Sequence, residues 1–261
     1  MSGLRFPRQR ALASRRVNQG FTLVELIVTM TILAIVSVGI FGFIESSATG
    51  YVESRDREAL QSQARFAVER LGRELRHSVP NSMTVWDGGS CLTYTPIRYS
   101  GVYNQREENV NTLDVALSTE QTDWQDAVKG GDHRLVFLPM TPSDLVGGAA
   151  NSFAITNASG NTLTLDKLPA AEWPAASPSQ RVYLYSHSVT LCFDNGELRR
   201  RVNDGATPKN VTLAQNIATG SRFNLSGESL SSGNLINIYY RFTQSGETSI
   251  YNQQVQALNA P

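Results

Sequence analysis

Residues with reactive or metal-binding side chains are scarce in this chain of 261 residues. It has two cysteines, Cys91 and Cys192, and three histidines, His77, His133 and His187. The histidines are scattered, and no pair stands at metal-ligand spacing. The cysteines lie roughly a hundred residues apart, far from the spacing of a zinc site or a CxxC redox pair. A nucleophile elbow is missing too, and Gly88-Gly89, Gly130-Gly131 and Gly147-Gly148 read as turns, not as a phosphate loop. The sequence thus assigns no catalytic residue, no metal and no cofactor, and argues against an enzyme. Net charge is also lacking, with 23 basic residues against 23 acidic. The distribution is uneven. Residues 1–20 hold Arg5, Arg8, Arg10, Arg15 and Arg16 and no acid, which leaves 18 basic residues against 23 acidic in the rest. That mildly acidic remainder offers little attraction to nucleic acid. Proline is absent from residue 21 to residue 79, so nothing of that kind breaks a helix there.

What is present begins with Phe21–Ile44, 24 residues carrying one charge, Glu25. At ~1.5 Å per residue such a helix measures roughly 36 Å, enough to cross a ~30 Å hydrocarbon core. The basic excess before it predicts a cytoplasmic N-terminus and a C-terminal bulk on the other side. A secretory signal peptide cut after Ala48 is the rival reading, although its apolar region usually spans only ~7–15 residues. Glu25 is the anomaly. A carboxylate costs ~2.5–3.5 kcal/mol near the centre of a spanning helix and less near an end. Either it sits at the headgroup boundary and matters little, or it waits for a cation within the apolar surroundings. A free α-amino group, made by a cut just before Phe21, is such a cation.

The run Gly20-Phe21-Thr22-Leu23-Val24-Glu25 resembles the processing motif of type IV prepilins and of the pseudopilins of type II secretion. A short basic leader, Gly before the cut, Phe after it, Glu at the fifth mature position and an uninterrupted apolar run coincide. The resemblance implies cleavage between Gly20 and Phe21 by the prepilin peptidase and N-methylation of Phe21. It also implies that Glu25 pairs with the N-terminal amine of a neighbouring subunit as helices pack into a filament. In dry surroundings that pairing is strong and register-specific. The partners implied are the peptidase, other major and minor pilins through their N-terminal helices, and the inner-membrane assembly machinery. The location implied is the bacterial inner membrane, single-pass, with a periplasmic head that later reaches the pilus or cell surface. Both cysteines then lie in an oxidising compartment. Each sits in or beside a strand-like segment, so a Cys91–Cys192 bridge is expected to join distant parts of a sheet. Two buried free thiols are the alternative.

The helix is expected to continue beyond the membrane, to Val79. In "ALQSQARFAVERLGRELRHSV", residues 59–79, Ala64, Ala67, Val68, Leu71 and Leu75 form an apolar stripe at helical spacing. Glu69 and Arg73 make a favourable i,i+4 pair on the charged side, and Pro80-Asn81 marks the stop. Many pilins carry a proline in the membrane half; here Gly39 and Gly42 are the only weak points, each costing ~1 kcal/mol against alanine.

After Pro80 the composition turns to strand-like segments separated by Gly, Asn, Asp and Ser. They are Met83–Trp86, Leu92–Tyr94, Leu113–Leu117, Arg134–Leu138, Phe153–Thr156, Thr162–Leu165, Val182–Tyr185, His187–Phe193, Glu197–Val202, Val211–Ala214, Leu235–Phe242 and Thr248–Val255. Asn195-Gly196 and Ser245-Gly246 signal two hairpins. Val102–Asn111, Thr119–Gly131 and Pro169–Ser179 read as loops. In Arg199-Arg200-Arg201, alternation sets Arg200 on the face opposite its neighbours; a solvated edge strand is expected, DNA capture being the weaker alternative. Trp86, Trp124 and Trp173 read as packing residues, with a sugar platform as the alternative.

The fold class is therefore α+β, a pilin-like plan with a long N-terminal helix packed on an antiparallel sheet. The divisions expected are a leader at 1–20, a membrane half at 21–44, a head-packed half at 45–79 and a β-rich head at 80–261. Residues 50–82, "LCFDNGELRRRV" and the terminal "NAP" resemble the large minor pilins of the MSHA (MshO) type, with PilW-like proteins and pseudopilin J more distant. The function implied is that of a minor pilin acting in assembly or initiation of the filament, at its tip. A minor pseudopilin of type II secretion, a glycan- or surface-binding tip adhesin and a secreted hydrolase are the alternatives.

Overall fold

With no proline to interrupt it, a single helix, α1, spans Leu23–Arg76 in the computed structural model, 54 residues in all. The structure describes residues 20–104, 110–119, 124–129, 132–167, 179–204, 209–226 and 235–257. Residues 1–19 of the leader, Trp173, the terminal "NAP" and most of the loop expected at Pro169–Ser179 lie outside them. Thr22 starts α1: its Oγ1 accepts the Glu25 amide at 3.2 Å and its carbonyl accepts the Leu26 amide at 3.2 Å. Arg73 and Arg76 occupy the last turn, where the exposed carbonyls favour cations, and Pro80 follows.

The chain divides into two compact units, one ending at Glu53 and one beginning at Ser54. In the first, every residue from Gly20 to Glu53 is exposed. In the second, the apolar stripe is buried: Leu60, Ala64, Ala67, Leu71, Gly72 and Leu75. Each buried leucine there contributes about 1.5–3 kcal/mol over an exposed one.

The second unit also holds the strands. They are β1 (Thr84–Trp86), β2 (Cys91–Tyr94), β3 (Tyr99–Tyr103), β4 (Thr112–Leu117), β5 (Arg134–Phe137), β6 (Ser152–Ser159), β7 (Thr162–Leu165), β8 (Arg181–Tyr185), β9 (Ser188–Asp194), β10 (Glu197–Asn203), β11 (Lys209–Ala214), β12 (Arg222–Ser226), β13 (Leu235–Gln244) and β14 (Glu247–Gln256). A short helix, α2 (Trp124–Val128), lies between β4 and β5. One sheet has the order β1-β2-β9-β10-β11 and a second the order β12-β13-β14. Every strand pairing is antiparallel, giving the α+β layout of a pilin-like fold.

The stripe of α1 shares one core with inward residues of both sheets, among them Leu92, Tyr94, Leu191, Leu198, Ile238 and Phe242. Gly72 is needed where α1 meets β14. There the Gln253 side chain donates to the Val68 carbonyl at 2.9 Å and accepts from the Tyr240 hydroxyl at 3.0 Å. A Cβ at position 72 would collide with that amide.

Between β2 and β9 the chain leaves the first sheet and builds a closed barrel of order β3-β4-β7-β6-β5-β8. The barrel is filled, not hollow. Phe137 packs edge-on against Tyr103 and Phe153, and Trp124 and Val128 of α2 join the same cluster. β9 then returns directly beside β2, with Tyr94 opposite Val189 and Cys91 opposite Cys192. The barrel is thus an insertion between two neighbouring strands.

Four elements differ from the sequence reading. β3 was not anticipated: Val102 and Tyr103 fall in a stretch expected to be loop, and Gly101 precedes them. That glycine lets β4 approach, since a Cβ would run into the Ala116 carbonyl. The short β12 was not anticipated, and α2 occupies a stretch expected to be loop. β10 is also not an edge strand, because β11 covers its outer side.

Candidate functional site

Gly20, Phe21 and Thr22 lie just before the first turn of α1, in non-helical chain. The Gly20–Phe21 peptide therefore lies outside the helical backbone. Phe21 is 81% exposed, and a Cβ at Gly20 would meet nothing within 4 Å. Three residues past the cap, the backbone of Glu25 is held by Thr22, and its carboxylate is exposed. No ion pair among the described residues involves Glu25. It is an acid at the edge of an apolar surface, without a cation partner among the described residues.

That surface is continuous, with Leu23, Val24, Leu33, Ile35, Val38, Phe41 and Ile44 all exposed. The hydroxyls within it are satisfied internally. Thr29 donates to Leu26 O at 3.0 Å, Thr31 to Val28 O at 2.9 Å and Ser37 to Leu33 O at 2.7 Å. Such back-bonding lets polar side chains sit in hydrocarbon without orphaned groups. Among the described residues, α1 is the helix long and apolar enough to cross a membrane.

In the head, Cys91 and Cys192 form a disulfide, their Cα atoms 4.2 Å apart across the β2–β9 pairing. The arginine run divides as alternation requires. Arg199 pairs with Glu197 at 2.8 Å and Arg201 donates to Asn210, both toward solvent. Arg200 turns inward and meets Glu74 of α1 at 2.6 Å, each side chain 19% exposed. The expected Glu69–Arg73 pair is not among the ion pairs of the described residues; Glu74 is the helix acid that is held. The Tyr94 hydroxyl is buried beside this pair, and burial together with the Glu74 charge pushes its pKa well above the ordinary range.

The histidines do not assemble into a metal site; among the described residues no cluster of three possible ligands occurs. His133 lies near enough to His187 to feel its charge. Burial lowers both pKa values first, and Arg98 lowers both further, with Arg200 acting on His187. Trp124 is core, as expected, whereas Trp86 is 48% exposed on β1.

Residues 15–41 match the prokaryotic N-terminal methylation motif. No curated protein and no solved structure matches the chain. The motif implies processing by the prepilin peptidase and assembly with other pilins, and it fits a single-pass inner-membrane anchor. Proteins built on it are structural subunits, not enzymes. The match and the bare apolar helix together support a type IV prepilin-like or pseudopilin protein.

Proposed function

We propose that this chain is a minor subunit of a type IV pilus of the MSHA type, cut after Gly20, methylated at Phe21 and acting in initiation or capping of the filament. The observation that carries this reading is the methylation motif at residues 15–41, running into an exposed apolar helix with the acid Glu25 in its first turn. Its N-terminus stays in the cytoplasm until processing and its head lies in the periplasm. Any subunit with this helix can join a helical stack. The head sets where. A head of residues 80–261, enlarged by an inserted six-stranded barrel, would crowd a shaft if repeated at every position. A few copies at one end leave that bulk free. The resemblance of residues 50–82 to large minor pilins supports the pilus over the secretion branch.

Deleting the gene is expected to reduce surface pili sharply while the major pilin still accumulates in the inner membrane and type II export continues. Electron microscopy, immunoblots of membrane fractions and assays of exported enzymes read the three arms. Normal piliation with failed export would move the protein to the minor pseudopilins.

A further inference from the structure

Trp86 is the only tryptophan among the described residues that is not buried, and nothing in the core explains its exposure. Its indole N–H donates to Thr93 Oγ1 at 3.1 Å, which pins the ring over the outer face of the first sheet. There it forms the wall between two clefts and lines both. The larger, ≈ 500 Å³, falls within the ~300–1,000 Å³ usual for ligand sites.

The two sides of that larger cleft differ in chemistry. On one side the turn between β5 and β6 presents Pro142, Leu145 and Val146, the last 63% exposed. On the other, hydroxyls and an amide form a connected row. Thr93 Oγ1 meets Thr190 Oγ1 at 3.1 Å, and the Asn203 amide donates to Thr190 at 3.1 Å and to Ser188 at 3.3 Å.

The lining excludes several ligand classes. The larger cleft has no carboxylate among its lining residues, so a cation finds no ligand set. Its guanidinium, from Arg134, is engaged by Ser152 through Nε at 2.6 Å and Nη2 at 3.0 Å, which leaves it poorly placed for an anion. In the smaller cleft, Arg199 is paired with Glu197 and Asp194. In the larger cleft what remains is a fixed aromatic face flanked by hydroxyls, an amide and His187, whose imidazole is favoured in its neutral form by burial. That combination suits a molecule with apolar C–H faces and equatorial hydroxyls.

We propose that the outer face of the β1-β2-β9-β10-β11 sheet binds a neutral oligosaccharide, with one pyranose stacked on Trp86 and its neighbour in the larger cleft, hydrogen-bonded to the Thr190–Asn203 row. The site belongs to the head alone and is independent of how the N-terminal helix assembles.

The test uses the full-length protein in a detergent without a sugar headgroup. Calorimetric titration is run with cellotriose, laminaritriose, β1,4-galactotriose and chitotriose. At least one is expected to bind with a millimolar or tighter Kd. Trp86→Ala should weaken it by about tenfold or more, and Trp86→Phe should retain part of the affinity. Asn203→Ala, which keeps the indole, should weaken the same sugar while leaving the melting temperature close to wild type, and it decides the matter if Trp86→Ala does not fold. Absence of binding to all four sugars at about 10 mM overturns the proposal. So does wild-type affinity in the folded Trp86→Ala and Asn203→Ala proteins. Loss of pilus incorporation in Trp86→Ala without any sugar binding would likewise overturn it, marking the indole as a protein contact.

Discussion

Two forces act on the carboxylate of Glu25, and their sizes separate them. It lies in the first turn of α1, where the helix dipole favours an acid. That interaction is worth only about 0.3–1 kcal/mol near a solvated helix end. A charge pair in hydrocarbon is stronger, because leaving either partner alone there is costly. Among the described residues no cation pairs with it, and the assembly proposed above supplies one from another subunit. Glu25→Leu is therefore expected to insert and to be cut, since Gly20, Phe21 and the Thr22 cap are untouched. Intact mass should show a mature start at Phe21 with one added methyl group. Recovery of the variant in sheared pili should fall by about tenfold or more, the equivalent of ~1.4 kcal/mol. Wild-type recovery would leave Glu25 as a helix-end acid and nothing more. The methylation motif was legible because its residues are contiguous and read locally. The Glu74–Arg200 pair was half legible. Strand alternation turned Arg200 inward, but its partner depends on the register of α1 against the sheet, which no local pattern encodes.

Elements were legible where side-chain period and turn chemistry agreed. Asn195 and Gly196 both adopt positive φ, 49° and 77°, as a tight hairpin between right-twisted strands demands, and β9 and β10 pair as the turn predicts. Ser245-Gly246 does the same for β13 and β14. β3 was partly hidden because its Gly101 reads as a breaker, and its reason for being there is the nearness of another strand. Closure of β3 on β8 depends on contacts some eighty residues apart, which composition cannot show. The disulfide lies between these cases: its compartment was inferable, its geometry was not. It ties β2 to β9 across a separation of 101 residues. In the chain-entropy account a loop of that size is worth up to ~4.7 kcal/mol. Denatured, unreduced protein is expected to show no reactive thiol. Replacing both cysteines with serine should lower the urea midpoint and steepen the slope, because the unlinked denatured chain exposes more surface. Two titratable thiols, or an unchanged midpoint, would contradict this.

At the scale of the molecule, the placement of the barrel has a consequence that can be tested. The barrel has its own core, separate from the one shared by α1 and the two sheets. Its two connections leave and re-enter at adjacent points, because Tyr94 and Val189 are cross-strand neighbours. A short turn can therefore replace residues 96–187. The main exposed loss is a small cluster in which Val79, past the end of α1, packs with Val136, Leu145, Tyr183 and Tyr185. Val79→Ser would remove that apolar stub. The shortened protein is expected to keep α1, the two sheets and the Cys91–Cys192 bond. It should also still be processed and anchored, since nothing in the N-terminal segment changes. Its disulfide should matter less. Loop-closure entropy falls with loop length, so a bond closing about 15 residues or fewer is worth at most ~3 kcal/mol, not ~4.7. Reduction should then shift the urea midpoint of the shortened protein less than that of the intact chain. An equal or larger shift would mean that the bond acts through native-state contacts of the barrel. Failure of the shortened chain to fold would mean that the barrel holds the sheet together, and is not an insertion carried by it.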